Sequence, residues 1–156
     1  MPDADHDLAD TAREPLRVSI LRQGGHLIAS VHTALDDGQL LRFRSDLLDE
    51  IGRQRARGVV IDVAALDVID SFACHTLRVI AQVARLKGAR TVVVGIQPDV
   101  AVTMARLGTT LHPVPTALDL EEGLDLLGDD LLGHDLLSHG DGPDRIAARG
   151  DGDRRW

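Results

Sequence analysis

Short apolar runs and amphipathic segments alternate along residues 16–127. The near-alternation of residues 16–21 and 27–32, on either side of Gln23-Gly24-Gly25-His26, predicts a β-hairpin. A buried-strand pattern follows at Val59, Val60, Ile61 and Val63, and the continuous apolar run at 91–96 is typical of a strand covered on both faces. The alternation of strands with helices predicts an α/β domain, and the hairpin at its start favours a mixed sheet.

Apolar positions spaced three and four residues apart predict the helices between these strands. The first helix begins after Asp36 or Asp37, the second at Ser71, and the third at Pro98. A last helix is predicted between Thr116, as its cap, and Leu127, after a short strand at 111–114. The predicted buried stripes of the first two helices are Leu40, Phe43, Leu47, Leu48 and Ile51, then Ala73, Leu77, Ile80, Val83 or Ala84, and Leu86.

Charge is distributed unevenly along this 156-residue chain of net charge −8. Residues 1–15 and 128–156 are polar, rich in Asp or Gly, and predicted to be disordered. Residues 16–118, with twelve Lys or Arg against nine Asp or Glu, are mildly basic and poor in aromatic residues, a balance too weak to predict a nucleic-acid partner. No apolar run reaches the roughly 20 residues of a membrane span, residues 1–15 lack the basic and then apolar pattern of a secretory signal, and Cys74 is the single cysteine. We therefore expect no membrane partner and a cytoplasmic location.

The most informative local feature is the Asp70-Ser71 pair, which joins the central strand to the second helix. Backbone N–H groups without intrahelical partners and the positive end of the helix dipole meet at such a junction. From position alone, Ser71 either caps the helix or is a site of chemical modification.

Other chemistry is less well supported by the sequence. Asp62, Asp67 and Asp70 form an alternative candidate for a metal- or nucleotide-binding site, but no His, Lys or activated nucleophile is placed beside them. Cys74 and His75 are adjacent and point about 100° apart on a helix, so they are not a thiol–imidazole pair. The histidines lack metal-ligand spacing and no phosphate loop is present. No catalytic residue, cofactor or metal is assigned.

The stretch VVIDVAALDVIDSF resembles the core of STAS domains, the anti-sigma-factor-antagonist family. Three further blocks, TALDDGQLLRFRSDLLDEI, GARTVVVGIQPDVAVTMARLG and TALDLEEGL, follow the pattern of its RsbS-like stressosome scaffold members. Together the blocks extend over residues 16–127. The resemblance implies a single α/β STAS domain, a mixed sheet with four to five helices packed mainly on one side.

The resemblance also implies a function in partner switching. Ser71 is then the residue phosphorylated by an RsbT-like serine kinase and restored by a cognate phosphatase, and the protein is a kinase substrate, not an enzyme. Asp70, Phe72 and Asp67 flank that site and contact partners. RsbR-like STAS proteins are implied as co-assembling partners in a homo- or hetero-oligomer. Phe72-Ala73 stand where many antagonists have a small residue and a glycine.

Overall fold

The computed structural model describes residues 16–128, which form one five-stranded sheet and four helices. The predicted disordered segments, 1–15 and 128–156, lie outside the described residues, apart from Gly128. The strands are β1 (Val18–Gln23), β2 (His26–Val31), β3 (Gly58–Asp62), β4 (Arg90–Val94) and β5 (Thr116–Ala117). The helices are α1 (Asp37–Gln54), α2 (Ser71–Leu86), α3 (Pro98–Leu107) and α4, which covers 120–128.

The sheet is mixed, as predicted, and its strands follow the order of the chain. β1 pairs antiparallel with β2, whereas β2, β3, β4 and β5 run parallel. Each parallel pair is joined through a helix, and such crossovers are almost always right-handed. Because the strand order never reverses, α1, α2 and α3 all lie on the same face of the sheet.

Alternate residues of the central strands pack on opposite faces. Val59, Ile61 and Val63 belong to the main core beneath α1, α2 and α3, whereas Val60 faces a smaller core beneath α4. That smaller core also contains Ile28, Val92, Val94 and Leu127. β3 and β4 are therefore both buried on two faces, which was predicted for the run at 91–96. Among residues 16–128, no helix is long and apolar enough to cross a membrane.

The predicted helix stripes are confirmed with one exception, although Leu48 and Ala73 are only half-buried against the main core. Leu40, Phe43, Leu47 and Ile51 are buried on α1, and Leu77, Ile80 and Ala84 on α2. Leu86, in contrast, is 87% exposed. It lies two residues, or about 200°, beyond Ala84, which turns its side chain away from the sheet.

The segment after α3 differs from its prediction. Residues 111–114 form turns, and the strand lies at Thr116–Ala117. Pro113 and Pro115 lack the N–H groups that a strand ladder requires. Thr116 therefore belongs to β5 and does not cap α4.

The cap of α4 is Asp119. Its Oδ1 accepts a hydrogen bond from the Glu122 amide at 2.9 Å. The Glu122 carboxylate in turn accepts from the Leu118 amide at 2.7 Å. The pair resembles a capping box, except that Glu122 accepts from the amide of the residue before the cap, and the cap lies three residues beyond the predicted one.

Candidate functional site at the β3–α2 junction

The connector between β3 and α2 is held by its own backbone and by the neighbouring strand. The Val63 amide donates to the carbonyl of Val94 at 3.0 Å, which extends the contact with β4 by one residue. The Ala64 amide donates to Asp62 Oδ1 at 2.9 Å, and the Leu66 amide to the carbonyl of Val63 at 3.0 Å. The connector leaves the sheet as an ordered turn.

Ile69 anchors the far end of this connector. Its side chain is 4% exposed and belongs to the main core, whereas the preceding Val68 is 67% exposed. Burial of Ile69 fixes the position of the next residue, Asp70, at the surface. The position of the junction is thus fixed by the buried side chain of Ile69, which lies between the exposed residues Val68 and Asp70.

Asp70, not Ser71, is the N-cap of α2. Its Oδ1 accepts from the Ala73 amide at 2.8 Å, and its carbonyl accepts from the Cys74 amide at 2.9 Å. Ser71 is the first helical residue and is exposed. No hydrogen bond within residues 16–128 involves its hydroxyl. The capping interpretation of Ser71 is therefore wrong, because Asp70 has that role.

The first turn of α2 retains donors near Ser71. The amides of Ser71 and Phe72 have no acceptor among the described residues, while the amides of Ala73 and Cys74 bond to Asp70. Unpaired N–H groups and the positive end of the dipole favour a negative group at this place. The hydroxyl of Ser71 thus lies beside donors suited to a phosphate.

A second loop, between β4 and α3, packs against the connector. Gly95 has φ +84°, and a Cβ built there would lie 2.9 Å from the Ala64 Cβ and 3.1 Å from Asp62 Oδ1. Gln97 Nε2 donates to the Ala64 carbonyl at 2.7 Å. Gly95 and Gln97 thus support the site from a distant part of the chain. Sequence reasoning missed both, although a glycine directly after a buried strand is a usable signal.

The three carboxylates of the alternative site are separate. Asp70 and Asp67 are exposed, and Asp62 is half-buried and stabilises its own turn. Within residues 16–128, no group of three or more His, Cys, Asp or Glu side chains is arranged to hold a metal ion. The alternative of a metal or nucleotide site gains no geometric support.

Cys74 and His75 do not act together. Cys74 is buried in the main core, whereas His75 is exposed. Burial raises the pKa of the Cys74 thiol, outweighing the opposite effect of Arg78. A buried thiol with a raised pKa is a packing residue and a poor nucleophile.

The surface beside Asp70 is apolar. A cavity of about 130 Å³ opens between α1 and α2, and Asp70 lies on its rim. Val68, Leu66 and Phe43 contribute apolar side chains to its wall. Phe72, on the first turn of α2, is half-buried. An acidic, hydroxyl-bearing edge thus adjoins an apolar recess.

Comparison with known proteins identifies the class to which this fold and junction belong. Residues 17–123 match the family model described as STAS domain. This match spans more than half of the sequence, and the chain therefore belongs to the STAS domain family, as the resemblance implied.

The solved structures of relatives place the chain near stressosome proteins. It is 36% identical to a serine-to-glutamate variant of RsbS from Moorella thermoacetica, with a TM-score of 0.63 over 73% of this chain and 97% of that one. A chain of the stressosome, described as a signal integration and transduction hub, is 33% identical, with a TM-score of 0.57 over 71% of this chain and 96% of that one. The anti-sigma factor antagonist SpoIIAA, in its unphosphorylated form, shares the fold at 13% identity and a TM-score of 0.53, covering 67% of this chain and 91% of that one.

A curated relative is longer than the matched region. The RsbT co-antagonist protein RsbRA of Bacillus subtilis (strain 168) is 30% identical over 90 residues, or 58% of this chain. The match spans only about a third (33%) of that relative's length.

Proposed function

We propose that this protein is a stressosome scaffold and antagonist that sequesters an RsbT-like serine kinase and releases it when Ser71 is phosphorylated. The observation that carries the proposal is the exposed hydroxyl of Ser71 on the first turn of α2, which makes no hydrogen bond within residues 16–128. Asp70 already caps the helix, and so Ser71 is available for modification without loss of a structural hydrogen bond.

A phosphate on Ser71 changes the charge of this surface sharply. It adds about −1.5 to −2 charges beside the exposed Asp70 and Asp67. The amides of Ser71 and Phe72, which have no acceptor among the described residues, and the helix dipole stabilise it within the domain. A partner that fits the unmodified surface meets the added charge as repulsion or as a desolvation cost. A penalty of about 3 kcal/mol weakens binding more than a hundredfold.

The apolar recess between α1 and α2 supplies the affinity in this proposal. Val68 and Leu66 provide exposed and half-exposed apolar surface next to the modified residue. A partner side chain inserted there lies beside Asp70, the residue before Ser71. Binding and release then act on the same surface, and no change of fold is required.

The names of the relatives support the choice of partners. One relative is a co-antagonist of RsbT, and another is a component of the stressosome. We therefore propose RsbR-like STAS proteins as co-assembling partners in a hetero-oligomer, and a cognate phosphatase that restores Ser71. The Ser71 environment is the part of the chain that the kinase and the phosphatase would share.

The proposal is tested by incubating the full chain with an RsbT-like kinase, ATP and Mg²⁺ and mapping the phosphate by mass spectrometry. We expect one phosphate on Ser71, none on the Ser71→Ala variant, and normal incorporation in Ser45→Ala. Ser45 is a matched control because it is an exposed serine on α1. A phosphate on another residue, or undiminished incorporation in Ser71→Ala, contradicts the assignment.

The identity with RsbRA favours a second candidate, an RsbR-like STAS module that acts as co-antagonist. Binding of the kinase distinguishes the scaffold from the co-antagonist. A scaffold retains the kinase by itself, whereas a co-antagonist retains it only when a second STAS protein is present. A pull-down of the kinase on the immobilised full chain, with and without an RsbS-like protein, distinguishes these outcomes.

A further inference from the structure

A second cleft lies between α2 and the short segment that leads into β5. It has a volume of about 130 Å³ and is open to solvent. Arg78, Gln82 and Arg85 of α2 form one wall, and residues 113–115 form the opposite wall. We call it the arginine cleft. It is separate from the recess beside Asp70, because the two share no lining residue.

The helical wall of the arginine cleft is rich in hydrogen-bond donors. Arg78, Gln82 and Arg85 are spaced four and three residues apart, which places them on one face of α2. Ala81, on the same face, is too small to fill the space between them. The charged side chains that line the cleft are all arginines. The cleft therefore favours a negatively charged ligand.

The guanidinium group of Arg78 is held in place across the cleft. Its Nη1 donates to the Thr110 carbonyl at 3.1 Å, a contact between residues 32 apart, and most of its five N–H donors stay available. Within residues 16–128, neither Arg78 nor Arg85 forms an ion pair with a carboxylate. Arg90 also lines the cleft but has an interaction of its own, so the argument does not depend on it.

The floor of the cleft contains a buried hydroxyl group. Thr91 is 5% exposed, and its Oγ1 has no hydrogen-bond partner among the described residues. Val93, two residues along β4, belongs to the main core beneath α2, so the Thr91 side chain also faces the helices. A buried polar group without a partner is costly and uncommon in native proteins. An acceptor atom bound in the cleft would remove that cost.

The backbone of Thr91 lies at an open edge of the sheet. β5 pairs with β4 only at Val93 and Val94. The Val93 amide donates to the Pro115 carbonyl at 3.0 Å. Because every second amide of a strand points to the same side, the Thr91 amide points to this edge too, where β4 has no partner strand. Thr91 thus supplies a hydroxyl and an amide close together.

We propose that the arginine cleft binds a phosphate group, either inorganic phosphate or the phosphate of a small monoester. Planar guanidinium groups match phosphate oxygens with paired hydrogen bonds, and here Arg78 and Arg85 approach from one side. The Thr91 hydroxyl donates from the floor, and the Gln82 amide can donate from the rim. A volume of about 130 Å³ is that of about four water molecules, which is enough for a tetrahedral oxyanion but not for a nucleotide.

The proposed phosphate site is distinct from the junction at Ser71. Arg78 and Arg85 lie about 10 and 20 Å farther along α2, at 1.5 Å per residue. A phosphate bound there joins α2 to the segment before β5 and stabilises that contact. The inference is independent of the proposed function, since it uses no property of Ser71.

The test is a titration of the nitrogen-15-labelled full chain with sodium phosphate, followed by two-dimensional NMR at near-neutral pH and constant ionic strength. We expect saturable shifts of the Thr91 amide and of the side-chain Nε–H signals of Arg78 and Arg85. The expected dissociation constant is about 1 mM or lower. Sodium acetate at the same ionic strength should produce no saturable shift.

Four variants separate the site from general charge attraction. Arg85→Gln should weaken phosphate binding about tenfold, whereas Arg42→Gln, at an exposed position on α1, should leave it unchanged. Thr91→Val should also weaken binding about tenfold, yet raise the Tm of the phosphate-free chain, because it removes a buried hydroxyl that lacks a partner. Ser71→Ala should bind phosphate like the wild type.

Four outcomes overturn the proposal. Absence of a saturable shift at phosphate concentrations about twentyfold above the expected constant shows that the cleft holds only water. Shifts confined to the amides of Ser71 and Phe72 assign the phosphate to the start of α2. Equal affinity for acetate shows that the cleft does not select phosphate. Undiminished binding in both Arg85→Gln and Thr91→Val shows that these side chains do not form the site.

Discussion

Replacement of Asp70 by Ala should destabilise the domain, while replacement of the adjacent Ser71 by Ala should not. Asp70 Oδ1 accepts the Ala73 amide at 2.8 Å, and loss of an N-cap acceptor of this kind costs about 1 kcal/mol, within a range of about 0.5–2. The Ser71 hydroxyl has no partner among residues 16–128 and is exposed, so Ser71→Ala stays within about 0.5 kcal/mol of wild type.

The assay is urea denaturation followed by far-UV circular dichroism, with thermal denaturation in parallel. For a domain of this size, 1 kcal/mol corresponds to a fall of about 4 °C in Tm. Asp36→Ala provides a calibration, because Asp36 caps α1 and accepts the Gln39 amide at 2.7 Å. Asp70→Asn keeps a capping acceptor and should retain most of the stability.

Equal losses for Ser71→Ala and Asp70→Ala would refute the reasoning, since they would mean that the serine also supports the helix. A free energy of unfolding that Asp70→Ala leaves unchanged would also refute it, since it would mean that the Asp70 cap does not stabilise the helix. The expected asymmetry matters for function because it leaves Ser71 free for modification without a cost to the fold.

Two further predictions concern the surroundings of the site. Gly95→Ala should lower the free energy of unfolding by about 1–3 kcal/mol, because φ is +84° and the new Cβ meets Ala64 at 2.9 Å. Gly108→Ala, at φ +72° with open space around it, should lower the free energy of unfolding by less in the same denaturation experiment. Equal losses in the two variants would contradict a steric contribution from Ala64 at Gly95. For Cys74, burial raises the pKa of the folded thiol, so its contribution to stability is present below the ordinary thiol pKa and is lost as the pH rises above it. The free energy of unfolding of the wild type should therefore fall in alkaline solution relative to that of Cys74→Ala. If the free energies of the two proteins vary with pH in parallel, the Cys74 thiol makes no such contribution.

Much of the architecture follows from local signals in the sequence. The apolar run before Asp62 predicts β3, and the stripe after Asp70 predicts α2, so the junction between them is placed correctly. The glycines at 24 and 25 mark the hairpin that makes the sheet mixed. These features depend on neighbouring residues, and a pattern read along the chain captures them.

Other features depend on contacts that the local pattern does not contain. Asp70 and Ser71 are both good capping residues, and the choice between them depends on where buried Ile69 fixes the chain. The contact of Gln97 with the Ala64 carbonyl joins residues 33 apart. β5 has only two residues, too few for a periodic signal.

The central claim is that phosphorylation of Ser71 releases a bound kinase. The most direct measurement is the affinity of an RsbT-like kinase for the unmodified chain and for the chain phosphorylated on Ser71, by isothermal titration calorimetry at physiological salt. We expect the phosphorylated chain to bind more than about a hundredfold more weakly, with Ser71→Ala retaining the affinity of the unmodified chain. Equal affinity of the two forms, or loss of binding in Ser71→Ala, would contradict the account.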